Sequence, residues 1–163
     1  MHSLKWKKKG FLRPIFAGGE PSPFVEFTLR CRRYRVWGAV VSALVDTGSP
    51  FTGLTPRDIV RLQLPLSKLP PAGRPISLGG HQFMPRLLRG AELIFKDEEG
   101  KRHSFQYDSF YALDPQYPRD KWGQDLYKYP NIMGMDFLRR VQAKIYLDLS
   151  QAEFVLEFAE KPP

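Results

Sequence analysis

The sequence predicts an all-β fold with one or two short helices. Two observations support this prediction. Several short segments alternate between apolar and polar residues, as strands with one buried face do. The 163 residues also include 15 prolines and 13 glycines, which suits many short strands and turns better than a bundle of helices. No internal repeat is visible, and we predict one domain at residues 23–160 that follows a basic N-terminal arm at residues 1–22.

The first predicted strands form an antiparallel pair that leads to an acidic residue. Pro23–Arg30 alternates in hydrophobicity, and Arg33–Val41 is expected to return beside it. The chain then runs through Val40–Val45, in which Ser42 is the only polar residue and β-branched and aliphatic side chains dominate. This composition predicts a strand that is buried on both faces. Asp46 follows it directly.

The residues after this strand read Asp46, Thr47, Gly48 and Ser49. A carboxylate at the end of a buried strand is costly to keep ionised unless hydrogen-bond donors surround it. Thr47 and Ser49 supply hydroxyls, and Gly48 permits a sharp turn that directs backbone N–H groups at the acid. We expect the Ser49 hydroxyl to donate to Asp46. The same four residues also suit an ordinary strand-to-loop turn, so the motif alone leaves both interpretations open.

A second block near the C-terminus consists of Ile132, Met133 and Gly134, two apolar residues and a glycine. A short helix is predicted after it at Asp136–Arg140, with an acid at the positive end of the helix dipole and two arginines at the negative end. Together with the motif at Asp46, this block resembles the retropepsin-like aspartic proteases, the single-domain relatives of retroviral protease.

The resemblance covers about residues 23–158 and implies a closed β-barrel of the acid-protease type. In that family the Asp-Thr-Gly motif carries the catalytic aspartate, which here is Asp46, and the residues after it support the active site. The later apolar pair and glycine pack beneath the active-site loop. The resemblance gives this packing role to residues 132–134.

The segment after the motif predicts a helix and then a long loop. Thr55 suits the N-cap, Pro56 the first helical position and Asp58 the acid of a capping box. The helix is expected to end before Pro65. Leu64–Pro75 holds four prolines and is predicted to be a loop.

Two adjacent glycines divide the next segment, Ile76–Phe83, and predict the tip of a tight hairpin. The resembled family has a glycine-rich flap at about this place, which closes over the bound peptide. The resemblance assigns that flap to Leu78, Gly79, Gly80 and His81. An ordinary surface hairpin is the alternative interpretation.

Two more hairpins and one insertion complete the prediction. Glu92–Lys96 and His103–Ala112 flank a polar turn, and Ala143–Asp148 and Glu153–Phe158 form a second hairpin with one apolar face. Leu113–Pro130 departs from the compact retroviral pattern and is predicted to be an insertion loop. It either borders the substrate cleft or packs on the body of the domain. Aromatic residues in an ordered loop usually bury area, which favours packing on the body.

The chain is basic, with 25 Lys and Arg against 17 Asp and Glu and a formal net charge of +8. The excess is concentrated in Lys5–Lys9 and in the arginines of residues 30–35. Such patches attract nucleic acids or acidic lipids. However, no recognition helix, zinc finger or stacking platform accompanies them. Binding of nucleic acid is therefore not favoured.

Cysteine and histidine usage limits the cofactors and the compartment. Cys31 is the only cysteine, which excludes an internal disulfide, and the three histidines are dispersed, so we predict no metal and no cofactor. No apolar run approaches the roughly 20 residues of a membrane span. The basic N-terminus also lacks the hydrophobic segment of a secretory signal. These features predict an intracellular, cytoplasmic protein.

The number of acidic motifs determines the expected mechanism. Peptide hydrolysis without a metal or a covalent nucleophile needs two carboxyl groups, one to activate a water as the base and one to polarise the substrate carbonyl as the acid. This chain has one Asp-Thr-Gly motif, so Asp46 must face its own counterpart across the two-fold axis of a homodimer. We therefore predict a homodimeric aspartic endopeptidase that cleaves peptides or unfolded proteins at acidic to mildly acidic pH.

A second class of function stays open at this point. The chain is alternatively a non-catalytic dimeric module of the same fold that binds a peptide or a protein partner. The intact Asp-Thr-Gly-Ser motif favours the endopeptidase, because a cleft used only for binding needs no paired acid. Fold alone does not establish activity.

Overall fold

The computed structural model of the chain describes residues 5–159, which form thirteen strands and two α-helices. The helices are α1 (Pro56–Arg61) and α2 (Met135–Arg140), and four short 3-10 helices lie at Arg32–Tyr34, Leu66–Lys68, Arg119–Lys121 and Gln124–Lys128. The strands are β1 (Lys5–Lys9), β2 (Phe11–Pro14), β3 (Pro21–Cys31), β4 (Val36–Val45), β5 (Thr52–Leu54), β6 (Ile76–Leu78), β7 (His81–Leu87), β8 (Glu92–Lys96), β9 (Arg102–Gln106), β10 (Phe110–Pro115), β11 (Asn131–Met133), β12 (Lys144–Asp148) and β13 (Glu153–Ala159).

The strands form one large and one small sheet. The large sheet has the order β6-β7-β10-β5-β11-β4-β3-β8-β9, with β2 paired to β3, and the small sheet has the order β1-β13-β12. Two pairs, β10 with β5 and β11 with β4, are parallel. The prediction of a mostly β fold with two short helices is confirmed. The order of the large sheet is an open path within residues 5–159, and no closed barrel is found there.

Aromatic side chains in the core join the two sheets to α2. The ring of Phe95 on β8 lies 5.5 Å from that of Phe27, 5.9 Å from that of Phe137 and 5.1 Å from that of Phe158, measured between centroids. These partners belong to β3, α2 and β13. All four side chains are buried. Burying each large apolar side chain stabilises the fold by about 1.5–3 kcal/mol, so this cluster fixes α2 against both sheets.

The strand that leads to Asp46 is buried on one face only. Val41, Ala43 and Val45 point into the core, whereas Val40 is 56% exposed. The prediction that Val40–Val45 is buried on both faces is therefore wrong. β4 has a neighbouring strand on each edge, but the face that carries Val40 is open. Backbone pairing on both edges does not require that both faces be covered.

The predicted basic arm contributes two strands to the fold. β1 pairs antiparallel with β13, and β2 pairs antiparallel with β3. Trp6 anchors β1 because it is buried between the rings of Phe158 and His103, at 4.2 and 3.9 Å. The other residues of β1 are lysines, and none of them is fully buried. Because all of these residues are basic, the sequence of β1 does not show the alternation of apolar and polar residues that is typical of a strand.

Helix α1 starts at Pro56 as predicted, but Thr55 does not cap it through its side chain. The Thr55 hydroxyl instead donates to the carbonyl of Tyr129, at 2.7 Å. Asp58, predicted as a capping-box acid, accepts from Arg61 Nε at 2.6 Å and from the side-chain amide of Asn131. The Thr55 and Asp58 side chains therefore bind Tyr129 and Asn131, which are distant in the chain, and do not form the predicted local cap. In residues 5–159 no helix has the length and apolar character needed to cross a membrane.

Two central segments differ from the prediction. His103–Ala112 is not one strand, because the chain turns at residues 107–109 between β9 and β10. β9 pairs with β8 as expected, while β10 pairs with β7 and β5 in another part of the sheet. β5 was not predicted, since a strand of three residues is too short to show an alternating pattern.

The C-terminal hairpin pairs Lys144 with Glu157 at one end and Asp148 with Glu153 at the other. β13 buries Phe154, Leu156 and Phe158, as predicted. β12 does not share this buried face, because all five of its residues are exposed. The prediction of one apolar face is confirmed for β13 and wrong for β12.

The turn between β8 and β9 docks on β1 through polar groups. His103 Nε2 and Asp97 Oδ2 lie 2.7 Å apart, and Asp97 Oδ1 accepts from the backbone N–H groups of Glu99 and Lys101, both at 2.9 Å. Glu98 Oε1 in the same turn accepts from the backbone N–H of Lys9, at 2.6 Å. Asp97 therefore orders the turn that holds the first strand of the small sheet.

Replacing Asp97 with Asn is expected to lower the melting temperature at neutral pH, because the amide keeps one acceptor oxygen but loses the negative charge and the second acceptor that bind His103 and the turn. The hydrogen bond from His103, with those from the backbone, holds the pKa of Asp97 below its usual value. The stabilisation is therefore present above the unfolded pKa of about 4 and is lost as the pH falls through the folded pKa. Thermal melts of the wild type and Asp97→Asn between about pH 7 and pH 2 measure the difference, which narrows below about pH 4. An equal difference at both ends of the range would contradict this assignment.

Candidate active site

The motif loop begins where β4 ends. The backbone N–H of Asp46 donates to the carbonyl of Met133, at 3.0 Å. The Gly48 N–H donates to Asp46 Oδ1 at 2.9 Å, and the Ser49 N–H donates to the Asp46 carbonyl at 3.1 Å. The Asp46 side chain is partly exposed. The loop therefore presents a carboxylate that one backbone donor orients and that solvent can reach.

The second sequence block lies directly beneath this loop. β11 runs parallel to β4, with Ile132 opposite Leu44 and Met133 opposite Val45. A Cβ on Gly134 would lie 2.1 Å from the carbonyl oxygen of Phe51. Only a residue without a side chain permits this approach of two backbones. The structure thus brings together the two blocks, 46–49 and 132–134, that the sequence separates by more than eighty residues.

Ser49 occupies a different position from the one predicted. Its hydroxyl donates to the carbonyl of Phe51 at 3.0 Å and accepts from the N–H of Phe51 at 3.3 Å. The side chain is buried inside the loop. The predicted hydrogen bond from Ser49 to Asp46 is therefore wrong, and the donor to the carboxylate is the Gly48 N–H. Thr47 is exposed at the turn.

The predicted flap residues form a hairpin. Leu78 pairs with His81 at the end of β6 and β7, and Gly79 and Gly80 make the turn with φ values of +56° and +83°. Such backbone angles favour glycine, because the side chain of an L-residue meets the backbone there. The hairpin is confirmed, while its role as a flap stays a prediction.

The predicted insertion packs on the body of the domain, as favoured. β10 extends to Pro115, and two 3-10 helices follow. Leu126 is buried against Phe83 of β7 and Leu113 of β10. Phe51 of the motif loop packs on the edge of the same small cluster. One group of apolar side chains therefore touches the insertion, the hairpin and the motif loop.

Comparison with solved structures shows a similarity in fold. The chain is similar to the crystal structure of a retropepsin-like aspartic protease from Rickettsia conorii, with a TM-score of 0.53 and 17% sequence identity. The similarity covers 98% of this chain and 97% of that chain. No protein-family model and no curated protein matches this chain. The chain has a retropepsin-like fold.

Within this retropepsin-like fold, a second acid, Asp136, binds Thr52, which in turn binds the backbone of Gly134 beneath the motif loop. Thr52 Oγ1 accepts from the N–H of Gly134 at 2.9 Å and donates to Asp136 Oδ1 at 2.6 Å. The Tyr107 hydroxyl donates to Asp136 Oδ2, at 2.5 Å. Burial, followed by this contact with Asp136, raises the pKa of the Tyr107 hydroxyl, which therefore remains a donor. Thr52 and Tyr107 carry no local signal of this role in the sequence, since their shared partner Asp136 lies 84 and 29 residues away in the chain.

A buried amide links the same region to α1. Asn131 Oδ1 accepts from the N–H of Thr55 at 2.9 Å, and Asn131 Nδ2 donates to the carbonyl of Ser42 at 3.0 Å and to the carboxylate of Asp58. Asn131 thus connects β11, β4 and α1 through one side chain. A lone Asn before an apolar pair gives no signal of this role in a sequence.

Two cavities lie near these elements. The one beside the motif loop has a volume of about 400 Å³, and Phe51, Ile76, Tyr107, Tyr111 and Asp136 line part of it. The larger, of about 770 Å³, lies on the open side of β4, and neither residues 46–49 nor residues 78–81 line it. Cavity volume alone therefore does not indicate where the Asp46 motif lies.

Among residues 5–159 no group of three or more His, Cys, Asp or Glu side chains is placed to hold a metal ion.

Gly134→Ala is expected to destabilise the fold by about 1–3 kcal/mol, because the added methyl group overpacks against the backbone of Phe51. Gly123→Ala is the matched control, since a Cβ on Gly123 meets no atom within 4 Å. Urea unfolding followed by tryptophan fluorescence measures both variants. Equal midpoints for the two variants would show that the close approach at Gly134 does not limit stability.

Proposed function

We propose that the chain is a homodimeric aspartic endopeptidase, in which Asp46 of each copy supplies one carboxyl group to a shared catalytic pair. The observation that carries the proposal is the environment of Asp46 within a retropepsin-like fold. Its Oδ1 accepts from the Gly48 N–H, and its backbone N–H is fixed to β11. Oδ2 has no hydrogen-bond partner among residues 5–159, so it is available to a water or a substrate.

The proposed reaction needs both copies of Asp46. One carboxylate takes a proton from a water, whose oxygen attacks the scissile carbonyl carbon, while the protonated partner donates to the carbonyl oxygen. The tetrahedral intermediate then breaks at its C–N bond, and the leaving amine receives a proton from the pair. Two carboxylates at close range do not both ionise, so they titrate together and retain one proton at the working pH. Activity is expected at acidic to mildly acidic pH.

An extended peptide or an unfolded protein is the proposed substrate. The β6–β7 hairpin is proposed as the flap, with Leu78, Gly79, Gly80 and His81 closing over the peptide. Exposed backbone groups at a glycine turn suit hydrogen bonding to a peptide backbone, which every sequence presents. Phe51, Ile76 and Tyr111 are among the residues that line the cavity beside the motif loop, which supports a preference for an apolar side chain there. We retain the expectation of an intracellular enzyme that does not bind nucleic acid.

The free edge of β12 is the surface proposed to bind the second copy. Within the described residues, β12 has a neighbouring strand on one edge only. Ile145, Tyr146 and Leu147 expose 40, 49 and 47% of their surface. Unpaired backbone groups and exposed apolar side chains on an edge strand favour the addition of another strand.

The sequence of β12 is complementary to itself when two copies pair antiparallel about an axis at Tyr146. This register places Lys144 opposite Asp148 of the second copy and Ile145 opposite Leu147 of the second copy. Opposite charges and paired apolar residues at facing positions each contribute about 0.2–1 kcal/mol. The two small sheets would then join into one continuous sheet, in which each copy presents the same surface to the other, as a two-fold interface requires.

Asp46→Asn is expected to reduce cleavage of an unfolded protein substrate by at least about a hundredfold, because it removes the group that carries the proton. Mass spectrometry of fragments across about pH 3 to 8 measures the activity, and the wild type is expected to lose activity as the pH rises through neutrality. Asp120→Asn is the matched control, since it removes one exposed negative charge elsewhere.

Equal fragments from the wild type and Asp46→Asn would remove Asp46 from the mechanism. Absence of cleavage by a wild-type protein that is shown to be dimeric would favour the binding module instead of the endopeptidase.

Ile145→Lys and Leu147→Asp are each expected to yield a folded monomer at concentrations at which the wild type is a dimer, because both side chains are exposed in the single copy. Mixing the two variants is expected to restore a dimer. In the mixed pair the introduced lysine faces the introduced aspartate, and Leu147 of the first variant faces Ile145 of the second. Sedimentation velocity measures the assembly.

Val40→Asp is the matched control for this experiment, since Val40 is 56% exposed on β4 and lies outside the proposed interface. It is expected to remain dimeric. If both single variants stayed dimeric, or if the mixture stayed monomeric, the proposed register would be wrong.

A further inference from the structure

One tyrosine of the insertion forms a hydrogen bond with the turn of the β6–β7 hairpin. The Tyr129 hydroxyl donates to the carbonyl oxygen of Gly79, at 2.8 Å. The two residues are 50 positions apart in the chain. A Cβ on Gly79 would lie 2.1 Å from the Tyr129 hydroxyl oxygen. A side chain at this position would displace the Tyr129 hydroxyl, so the turn and the tyrosine fit closely against each other.

Aromatic rings extend this contact along the hairpin. The ring of Tyr129 meets the rings of His81 and Phe83 edge to face, with centroids 5.8 and 6.1 Å apart. The ring of Tyr117, at the other side of the insertion, meets the ring of His81 edge to face at 5.9 Å. His81 thus lies between two tyrosines of the insertion. Its Nδ1 is buried without a hydrogen-bond partner among the described residues, so ring packing holds this side chain.

The base of the insertion is fixed independently of the hairpin tip. Thr55 Oγ1 donates to the Tyr129 carbonyl at 2.7 Å, and Leu126 is buried beside Phe83 and Leu113. Tyr129 is therefore anchored to α1 through its backbone and reaches the hairpin through its side chain. Because its backbone is fixed to Thr55, Tyr129 presents its hydroxyl at a defined position, where it binds the carbonyl of Gly79 in the turn.

We propose that Tyr129 is a positioning residue for the proposed protease, and that it holds the turn at Gly79 and Gly80 in the place where the hairpin meets a bound peptide. The inference rests on the proposed function for its effect on catalysis. The restraint on the hairpin itself rests only on the contacts of Tyr129. In this proposal the insertion acts on the substrate through the hairpin.

A pre-positioned hairpin lowers the entropy that is lost when a peptide orders it. This advantage is the same for the bound substrate and for the transition state, so its loss is expected to raise KM with little change in kcat. One hydrogen bond of this kind corresponds to about a two- to tenfold change in an equilibrium. Phe51 of the motif loop packs on the same small apolar cluster as the hairpin, whereas the donor to the Asp46 carboxylate is the Gly48 N–H of its own loop, so Asp46 keeps this donor.

Tyr129→Phe removes the hydroxyl and keeps the ring that packs on His81 and Phe83. Hydrogen exchange of the backbone amides in residues 77–82 is expected to rise about two- to tenfold, while the melting temperature falls by no more than about 5 °C. KM for a quenched fluorescent peptide is expected to rise by a similar factor with kcat within about twofold. Tyr127→Phe is the matched control, because it removes a hydroxyl from a tyrosine of the same insertion whose ring packs on Trp122.

The two readouts separate the failure of this inference from the failure of the proposed function. Unchanged exchange in Tyr129→Phe would overturn the restraint, whatever the activity. Raised exchange with an unchanged KM would overturn the positioning role. If the wild type cleaved no peptide, the proposed function would fail, and raised exchange in Tyr129→Phe alone would still support Tyr129 as the anchor of the hairpin.

Discussion

The parallel pairing of β11 with β4 determines where Asp46 lies and what surrounds it. The pairing places the Met133 carbonyl where it accepts from the Asp46 N–H, so the loop leaves the sheet at a defined point. Gly134 then allows the loop to approach to backbone contact, and the Met135 N–H donates to the Ser49 carbonyl at 2.8 Å. Three backbone contacts thus position the carboxylate before any side chain takes part. Backbone contacts of this kind tolerate wide changes of sequence, which agrees with a shared fold at 17% identity.

Asp46 and Asp136 show how the same fold assigns different tasks to two carboxylates. Asp136 accepts from Thr52 with one oxygen and from Tyr107 with the other, so both of its oxygens are used within the fold. Asp46 uses one oxygen, for the Gly48 N–H, and remains partly exposed. A fully bonded acid stabilises the structure, since removing it leaves buried donors unpaired. An acid with a free oxygen near solvent contributes less to stability and is available for chemistry.

The features that local sequence could predict are those that local interactions determine. The glycine turn at 79–80, helix α1 and the order of the two blocks at 46–49 and 132–134 follow from residue types at short spacing. Ser49 was misplaced because its hydroxyl had two possible acceptors within three residues, and packing of the loop selected the carbonyl of Phe51. β5 depends on the strands beside it, a relation that spacing along the chain does not contain.

The edge of β12 and the proposed role of Asp46 both point to a second copy of the chain. Within the described residues β12 has exposed apolar side chains and one unpaired edge, and the proposed catalytic pair needs Asp46 from two copies. If one two-fold axis completes both, the fraction of active enzyme follows the fraction of dimer and rises with concentration by mass action. A substrate that binds across the axis then stabilises the dimer, because it binds the paired state and not the separate copies. Assembly and substrate binding would thus be two parts of one equilibrium. At low concentration the chain would be mainly monomeric and inactive, and would not cleave other proteins at random.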